Sequence, residues 1–269
     1  MTRSKSFTVL AMLFIAALLV AACGGAATAP AAAPTEAPAA VQLKIKVGTN
    51  AEYRPFEFVD EGGAVVGFDI DLMNAIAKAA GFEAEFVNTR WDGIFVALAQ
   101  GEFDAVQSAA TITDERKQTV NFSDPYFLAG QGLAVKQGST IAGIADVEGQ
   151  RVGVQLGTTG DIWLSENTTA EVVRFDEITL AMQALANGDV AAVFNDAPVS
   201  ADIIKANPEL GLVMLSEVYT SEEYGIAVNK DRAAVLEAIN RGLAAVKASG
   251  EYDTIYEKWF GMKPPQAVQ

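Results

Sequence analysis

Arg116 stands in the stretch TITDERKQTVNFSDPYF (111–127), and a guanidinium there has the chemistry to hold a carboxylate through two parallel hydrogen bonds. Spacing alone leaves a second reading open, a surface arginine paired with Asp114 or Asp92. Thr159 lies in GTTGD (157–161), ahead of a helical stretch, where backbone N–H groups and the helix dipole favour an anion. An ordinary helix cap is the other reading of it. Gly157 and Gly160 do not make a P-loop, because no Gly-Lys-Ser/Thr follows. Asp69 and Asp71 lack the remaining ligands of a calcium loop and read as helix-capping residues. Glu222-Glu223 reads as a solvated face.

Composition narrows the chemistry further. The 269 residues contain no His and one Cys, which excludes Ser-His-Asp and Cys-His catalysis, His-ligated metal sites and an intrachain disulfide. The formal charge of −15 disfavours nucleic acid, whose binding needs clustered Lys and Arg against phosphates. No metal, cofactor or nucleic-acid partner is expected.

The elements that must position these groups follow from periodicity. LKIKVGTN (43–50) alternates as a strand, FEFVDEGGAVVGF (56–68) reads as two short strands about a turn, and Asp69 opens a helix to Ala80. FEAEFV is a strand, Trp91 to Gln100 a helix ended by Gly101, and DAVQSA the strand after it. Thr113 caps another helix, and GLAVKQG (132–138) is a strand. The pattern then restarts: strand RVGVQ, Gly/Thr loop, helix, strand EVVRF, helix Ile178–Asn187, Gly188, strand VAAVFND. A helix from 198, a strand at 212–215, a strand at 224–230 and two C-terminal helices complete the chain. ALAQGEFDAVQSA (97–109) and ALANGDVAAVFNDA (184–197) are near-copies. Strand–helix alternation with short connections predicts α/β layers, and the repeat predicts two similar lobes. Ligands of open α/β sheets bind outside the carboxyl ends of the strands, so two facing ends would form a cleft.

The N-terminal residues have the layout of a signal peptide: Arg3 and Lys5, an apolar run from Phe7 to Ala22, then Cys23. Val20-Ala21-Ala22-Cys23 resembles a bacterial lipobox, which implies cleavage before Cys23 and a lipid on its sulfur. Loss of two positive charges would take the net charge from −15 to −17. Residues 23–42, rich in Ala and Pro, read as a tether.

Longer motifs now become specific. GFDIDL (67–72) followed after three residues by Ile76-Ala77 resembles the signature of family 3 extracellular solute-binding proteins, the amino-acid receptors of ABC importers. GTNAEYRPFEF (48–58), RWDGIFVAL (90–98), TITDERKQTVNFSDPYF, RVGVQLGTTGD (151–161) and GEYDTIYEKWFG (250–261) extend the resemblance over 43–261. It implies a periplasmic-binding-protein-like type II fold: two α/β lobes joined by a two-strand hinge, with the ligand cleft between them. Lobe 1 would be 43–131 with 226–261, lobe 2 would be 132–225, and 262–269 a tail.

The resemblance also implies roles. Arg116, Thr111 and Thr159 would meet a ligand carboxylate. Asp196, with the main-chain carbonyl of Ala109, would meet the ammonium. Tyr53 and Trp91 would sandwich the side chain. Basic-amino-acid members often have Asp where this chain has Asn50, and glutamine-binding members carry a charged or His side chain at Gln155 and Asn195. These three amides suggest a neutral polar side chain, while Glu52 and Asp161 could attract a cationic one. The implied function is capture of a polar neutral or basic L-amino acid by a monomeric receptor at the outer face of the cytoplasmic membrane or in the periplasm. Delivery would be to an ABC permease with its ATPase. Two other readings stand beside it: a dehydratase of the same fold using a cleft carboxylate such as Glu52, and a ligand-binding partner of a sensor.

Overall fold

The computed structural model describes residues 43–266; the signal segment, Cys23, the tether and the last three residues lie outside them. The chain opens with β1 (Leu43–Thr49), whose alternation buries Ile45 and Val47, and a small meander of β2 (Glu52–Tyr53), β3 (Glu57–Val59) and β4 (Val65–Val66). There follow α1 (Phe68–Ala80), β5 (Phe82–Asn88), α2 (Ile94–Gln100), β6 (Ala105–Val106), α3 (Asp114–Thr119) and β7 (Val120–Phe122). β8 (Phe127–Ala129) leads into β9 (Gln131–Lys136), β10 (Arg151–Gln155), α4 (Thr159–Asn167), β11 (Glu171–Phe175), α5 (Ile178–Asn187), β12 (Ala192–Asp196), α6 (Ala197–Ala206) and β13 (Leu212–Val218). The return runs through β14 (Glu222–Tyr224), β15 (Ala227–Asn229), α7 (Ala233–Ser249) and α8 (Glu251–Phe260).

Two five-stranded sheets result, in the orders β5-β1-β6-β15-β7 and β11-β10-β12-β9-β13. They share one plan. β1 in one and β10 in the other lie between two parallel neighbours, and the fourth position is taken by an antiparallel strand, β15 in one and β9 in the other. The duplicated sequence occupies the same place in both. α2 ends at Gly101 and α5 at Gly188, with φ of 83° and 87°, and each glycine N–H returns to carbonyls of its own helix. That left-handed turn favours glycine because a Cβ would crowd the backbone. The strand after each runs beside β1 or β10, Val106 opposite Gly48 and Val193 opposite Gly153.

The lobes are connected by a two-stranded antiparallel ribbon of β8 and β14. The strand expected over 224–230 is therefore two strands. Tyr224 pairs with Phe127 in the ribbon, and Ala227 pairs with Val106 and Phe122 in the first sheet. The chain changes partners at Gly225-Ile226 as it leaves the ribbon. Aromatic rings fasten the ribbon to the C-terminal helix: Phe127 stacks on Tyr224 and on Tyr256, at 5.5 Å each, and Phe56 meets Phe127 edge-on at 4.8 Å. Such pairs contribute about 0.5–1.5 kcal/mol each beyond their buried area. Tyr252 donates to the Tyr126 carbonyl at 2.6 Å, and α7 packs Gly242 directly on Ile76 of α1.

Asp69 departs from expectation. Gly67, not Asp69, occupies the N-cap of α1, and it makes no side-chain cap. Its φ of 143° and the Phe56 carbonyl, 2.0 Å from where a Cβ would sit, leave room only for glycine. Asp69 consequently falls two residues past the cap, in the first turn, and is fully buried, while Asp71 takes the Lys258 ammonium at 2.5 Å and the Trp259 indole at 2.7 Å.

Candidate functional site

A cavity lies where the carboxyl ends of the two sheets meet. The first lobe lines it with Asn50, Tyr53, Trp91, Ser108, Ala109, Thr111 and Arg116; the second adds Gln155, Thr158, Thr159 and Asp196. Ala109 and Asp196 stand at equivalent positions of the duplicated unit, Asp196 closing β12 and Ala109 three residues past the end of β6, which is shorter than the strand expected over DAVQSA, so the repeat delivers one residue to the cavity from each side.

Arg116 sits in the first turns of α3. Thr113 caps that helix by accepting the Arg116 N–H at 3.1 Å, which orients the turn. Its guanidinium donates to the Thr111 carbonyl at 2.8 Å and lies 4.6 Å from the Phe95 ring centroid and 5.2 Å from that of Trp91. The surface-pair reading does not hold, since Asp114 pairs with Lys117 and Asp92 with Arg90. Among the described residues no carboxylate forms an ion pair with Arg116. Burial lowers its pKa to about 10, opposed by the charges of Glu222 and Asp196, and it stays cationic at neutral pH.

Asp196 begins α6 without capping it through its side chain. Its carboxylate instead receives the Tyr53 hydroxyl at 2.6 Å and the Gln131 amide. Burial, then the charge of Glu222, raises its pKa to about 6 against the pull of the nearby Tyr224 hydroxyl and of the bond from Tyr53. Tyr53 spans the cleft, its hydroxyl also 2.8 Å from Asn195 Oδ1, and burial, then the Asp196 carboxylate, pushes the phenol well above its ordinary value. Gln155 donates to Asn50 across the cavity at 3.2 Å.

Three residues fall differently from expectation. Asn195 is buried but outside the lining, with its amide 3.3 Å from Ser200 Oγ. Glu52 is half-buried and outside the lining as well; partial burial and the charge of Glu177 raise its pKa. Asp161 is committed to Arg174 at 2.9 Å and to the Gly157 N–H, so it braces the loop. Thr158 is the cap of α4, so the Thr159 hydroxyl is not spent on the helix; it donates to Glu222 and accepts the Gln131 amide at the cavity wall.

Glu222 is not a solvated residue. It is 8% exposed, and its carboxylate accepts the hydroxyls of Thr111 at 2.7 Å, Thr159 at 2.8 Å and Thr220 at 2.8 Å. It lies on the ribbon between the lobes, so it links a threonine of one to a threonine of the other. Only the crossing of the chain puts it there; nothing in Ser221-Glu222-Glu223 signals it. Gln131, at the start of β9, was equally illegible. Ser108 could have been found, as it stands at the offset of Asn195 in the repeat. Glu222→Ala strands three hydroxyl donors, and we expect it to lower the unfolding free energy by about 1–3 kcal/mol. A urea midpoint unchanged from wild type would overturn this.

Two charges of opposite sign, aromatic faces and amides in one cleft match the needs of a zwitterion. The comparisons agree with that geometry. The model of bacterial extracellular solute-binding proteins, family 3, matches residues 45–262. A probable histidine-binding protein of Neisseria gonorrhoeae is 42% identical over 96% of this chain and 97% of its own. The arginine-, lysine-, histidine-binding protein ArtJ of Geobacillus stearothermophilus is 40% identical with a TM-score of 0.79, over 82% of this chain and 96% of that one. An ancestral arginine-binding protein, solved with arginine and with glutamine, is 45% identical with a TM-score of 0.78, over 81% and 98%. The chain therefore belongs to the bacterial extracellular solute-binding proteins of family 3.

Proposed function

We propose that this protein captures a free L-amino acid with a polar neutral or basic side chain and, as a monomer, delivers it to an ABC permease and its ATPase. The observation that carries the reading is the pairing in one cavity of a guanidinium without a carboxylate partner and a buried carboxylate from the opposite lobe. Arg116 would fork onto the ligand carboxylate, with the N-terminal end of α4 at Thr159 beside it. Asp196 would hold the ammonium. Trp91 and Tyr53 would flank the side chain, with Asn50 and Gln155 as its polar partners. Names of the relatives support this range, since they include histidine, arginine, cystine and glutamine binding.

Closure about the β8–β14 ribbon would be the signal that the permease reads, with 43–131 and 226–261 moving against 132–225. A lipid on Cys23 would keep the receptor at the membrane surface outside the cytoplasm. The dehydratase reading has less support, because Glu52, its candidate acid, lies outside the cavity lining.

A thermal-shift screen of residues 24–269 against the twenty amino acids tests the proposal. A ligand at a thousand times its Kd adds about 4 kcal/mol. The expected result is a raised melting temperature with one or more of Gln, Asn, Lys, Arg or His and none with their D-isomers. A shift only with Asp or Glu, or no shift in verified ligand-free protein, overturns it.

A further inference from the structure

Beneath the cavity, two carboxyl groups share a fully buried position. Glu57, on β3, and Asp69, on α1, are both 0% exposed, and they are neighbours: the Asp69 N–H donates to the carbonyl of Phe56, the residue before Glu57, and the charge of Asp69 acts on Glu57. Glu57 Oε1 accepts the Ser108 hydroxyl at 2.9 Å. Asp69 Oδ2 accepts the Ala109 N–H at 2.8 Å and the Tyr126 hydroxyl at 2.7 Å. The remaining oxygens, Glu57 Oε2 and Asp69 Oδ1, are buried and have no donor from any other group. Two adjacent carboxylates cannot both stay ionised out of water, and one proton between these oxygens satisfies both. The donors decide its place. Asp69 has two, a backbone N–H and a phenol, whereas Glu57 has a single hydroxyl.

We propose that Glu57 carries a proton at neutral pH and donates it to Asp69, and that this pair positions Ser108 and Ala109, the cavity edge supplied by the first lobe. The proposal rests on reading the cavity as an amino-acid site. Ala109 holds φ 46°, a left-handed conformation that costs a non-glycine residue energy and persists only where its surroundings impose it. The bond from its N–H to Asp69 imposes it, and so fixes where its carbonyl points. Ser108, held by Glu57, accepts the Asn50 N–H at 2.9 Å, so the same pair sets the tip of β1. Groups facing Glu57 agree with its being neutral. Burial and the negative charge of Asp69 push it well above the carboxylate range, Asp196 adds to this, and only the Ser108 hydroxyl opposes. Asp69 reaches about 6, its burial offset by the Ala109 N–H and the hydroxyl of Tyr126.

Infrared difference spectroscopy of the ligand-free protein at neutral pH tests the proton directly. A carbonyl stretch of a protonated carboxylic acid is expected in wild type and absent in Glu57→Gln. No such band in wild type, or a band kept in Glu57→Gln, overturns the assignment whatever the protein binds. Calorimetry with the amino acid found in the screen tests positioning. Glu57→Ala is expected to lose at least about tenfold in affinity, and Glu57→Gln, which keeps a neutral donor toward Asp69, to recover most of it. Asp69→Asn should also lose about tenfold, with unchanged circular dichroism. Equal affinity in Glu57→Ala and wild type overturns the positioning role, and if Asp69→Asn fails to fold the two Glu57 variants still decide. Absence of binding by wild type would instead fail the proposed function while leaving the spectroscopic result intact.

Discussion

Arg116→Ala is expected to weaken amino-acid binding by about 2–4 kcal/mol, roughly 30- to 1,000-fold. Among the described residues the guanidinium has one acceptor, the Thr111 carbonyl, so most of its donors remain for a ligand. Its removal would leave a carboxylate in a cleft lined by Trp91, with Glu222 and Asp196 as its charged neighbours. Arg116→Lys should recover only part of the loss, since an ammonium holds the charge without the two-point geometry. Helix α3 should survive, because Thr113 caps it through the backbone N–H of residue 116. Isothermal titration calorimetry with the best ligand checks the prediction. A loss below about tenfold, 1.4 kcal/mol, removes Arg116 from the carboxylate clamp.

Asp196→Asn should cost a similar amount, about 2–5 kcal/mol, by leaving a ligand ammonium without an anion in a buried place. The wild-type carboxyl has its pKa near 6, so affinity is expected to be level above about pH 7 and to fall as the carboxylate is protonated below 6. The sign for stability is opposite. A carboxyl raised from 3.8 to about 6 takes up a proton on folding, so the ligand-free protein loses stability as pH rises through that window. A bound ammonium offsets the cost. Asp69 titrates in the same range, so the informative quantity is the difference between wild type and Asp196→Asn in affinity measured from pH 5 to 8. Parallel pH profiles for the two proteins would show that Asp196 does not receive the ligand.

Much of this was legible because it is local. A helix that ends on a left-handed glycine and turns into an apolar strand is written in about a dozen residues, and the chain writes it twice, at Gly101 and Gly188. Thr113 as a cap followed from a hydroxyl ahead of an acidic first turn. Arg116, Thr111, Tyr53, Trp91 and Asp196 could be named from the motifs that contain them, and all five line one cavity.

What the sequence left undecided depends on segments far apart in the chain. Asp69 looked like a cap because a carboxylate near a helix start usually serves its own turn. The backbone at Gly67 turned it inward, where the Ala109 N–H, forty residues on, became its partner. Glu57 gave no sign of being neutral, since the proton it needs is a property of two buried carboxyls meeting. Glu222 looked like a surface charge until the ribbon carried it between Thr111 and Thr159, 111 and 63 residues away in sequence. Composition and periodicity determined the α/β layers and the duplication, and the resemblance to a known family supplied the candidate ligand residues. Only the return of the chain through β14 and β15 decided which charges are buried, because desolvation and hydrogen bonding act through space on groups that no local pattern brings together.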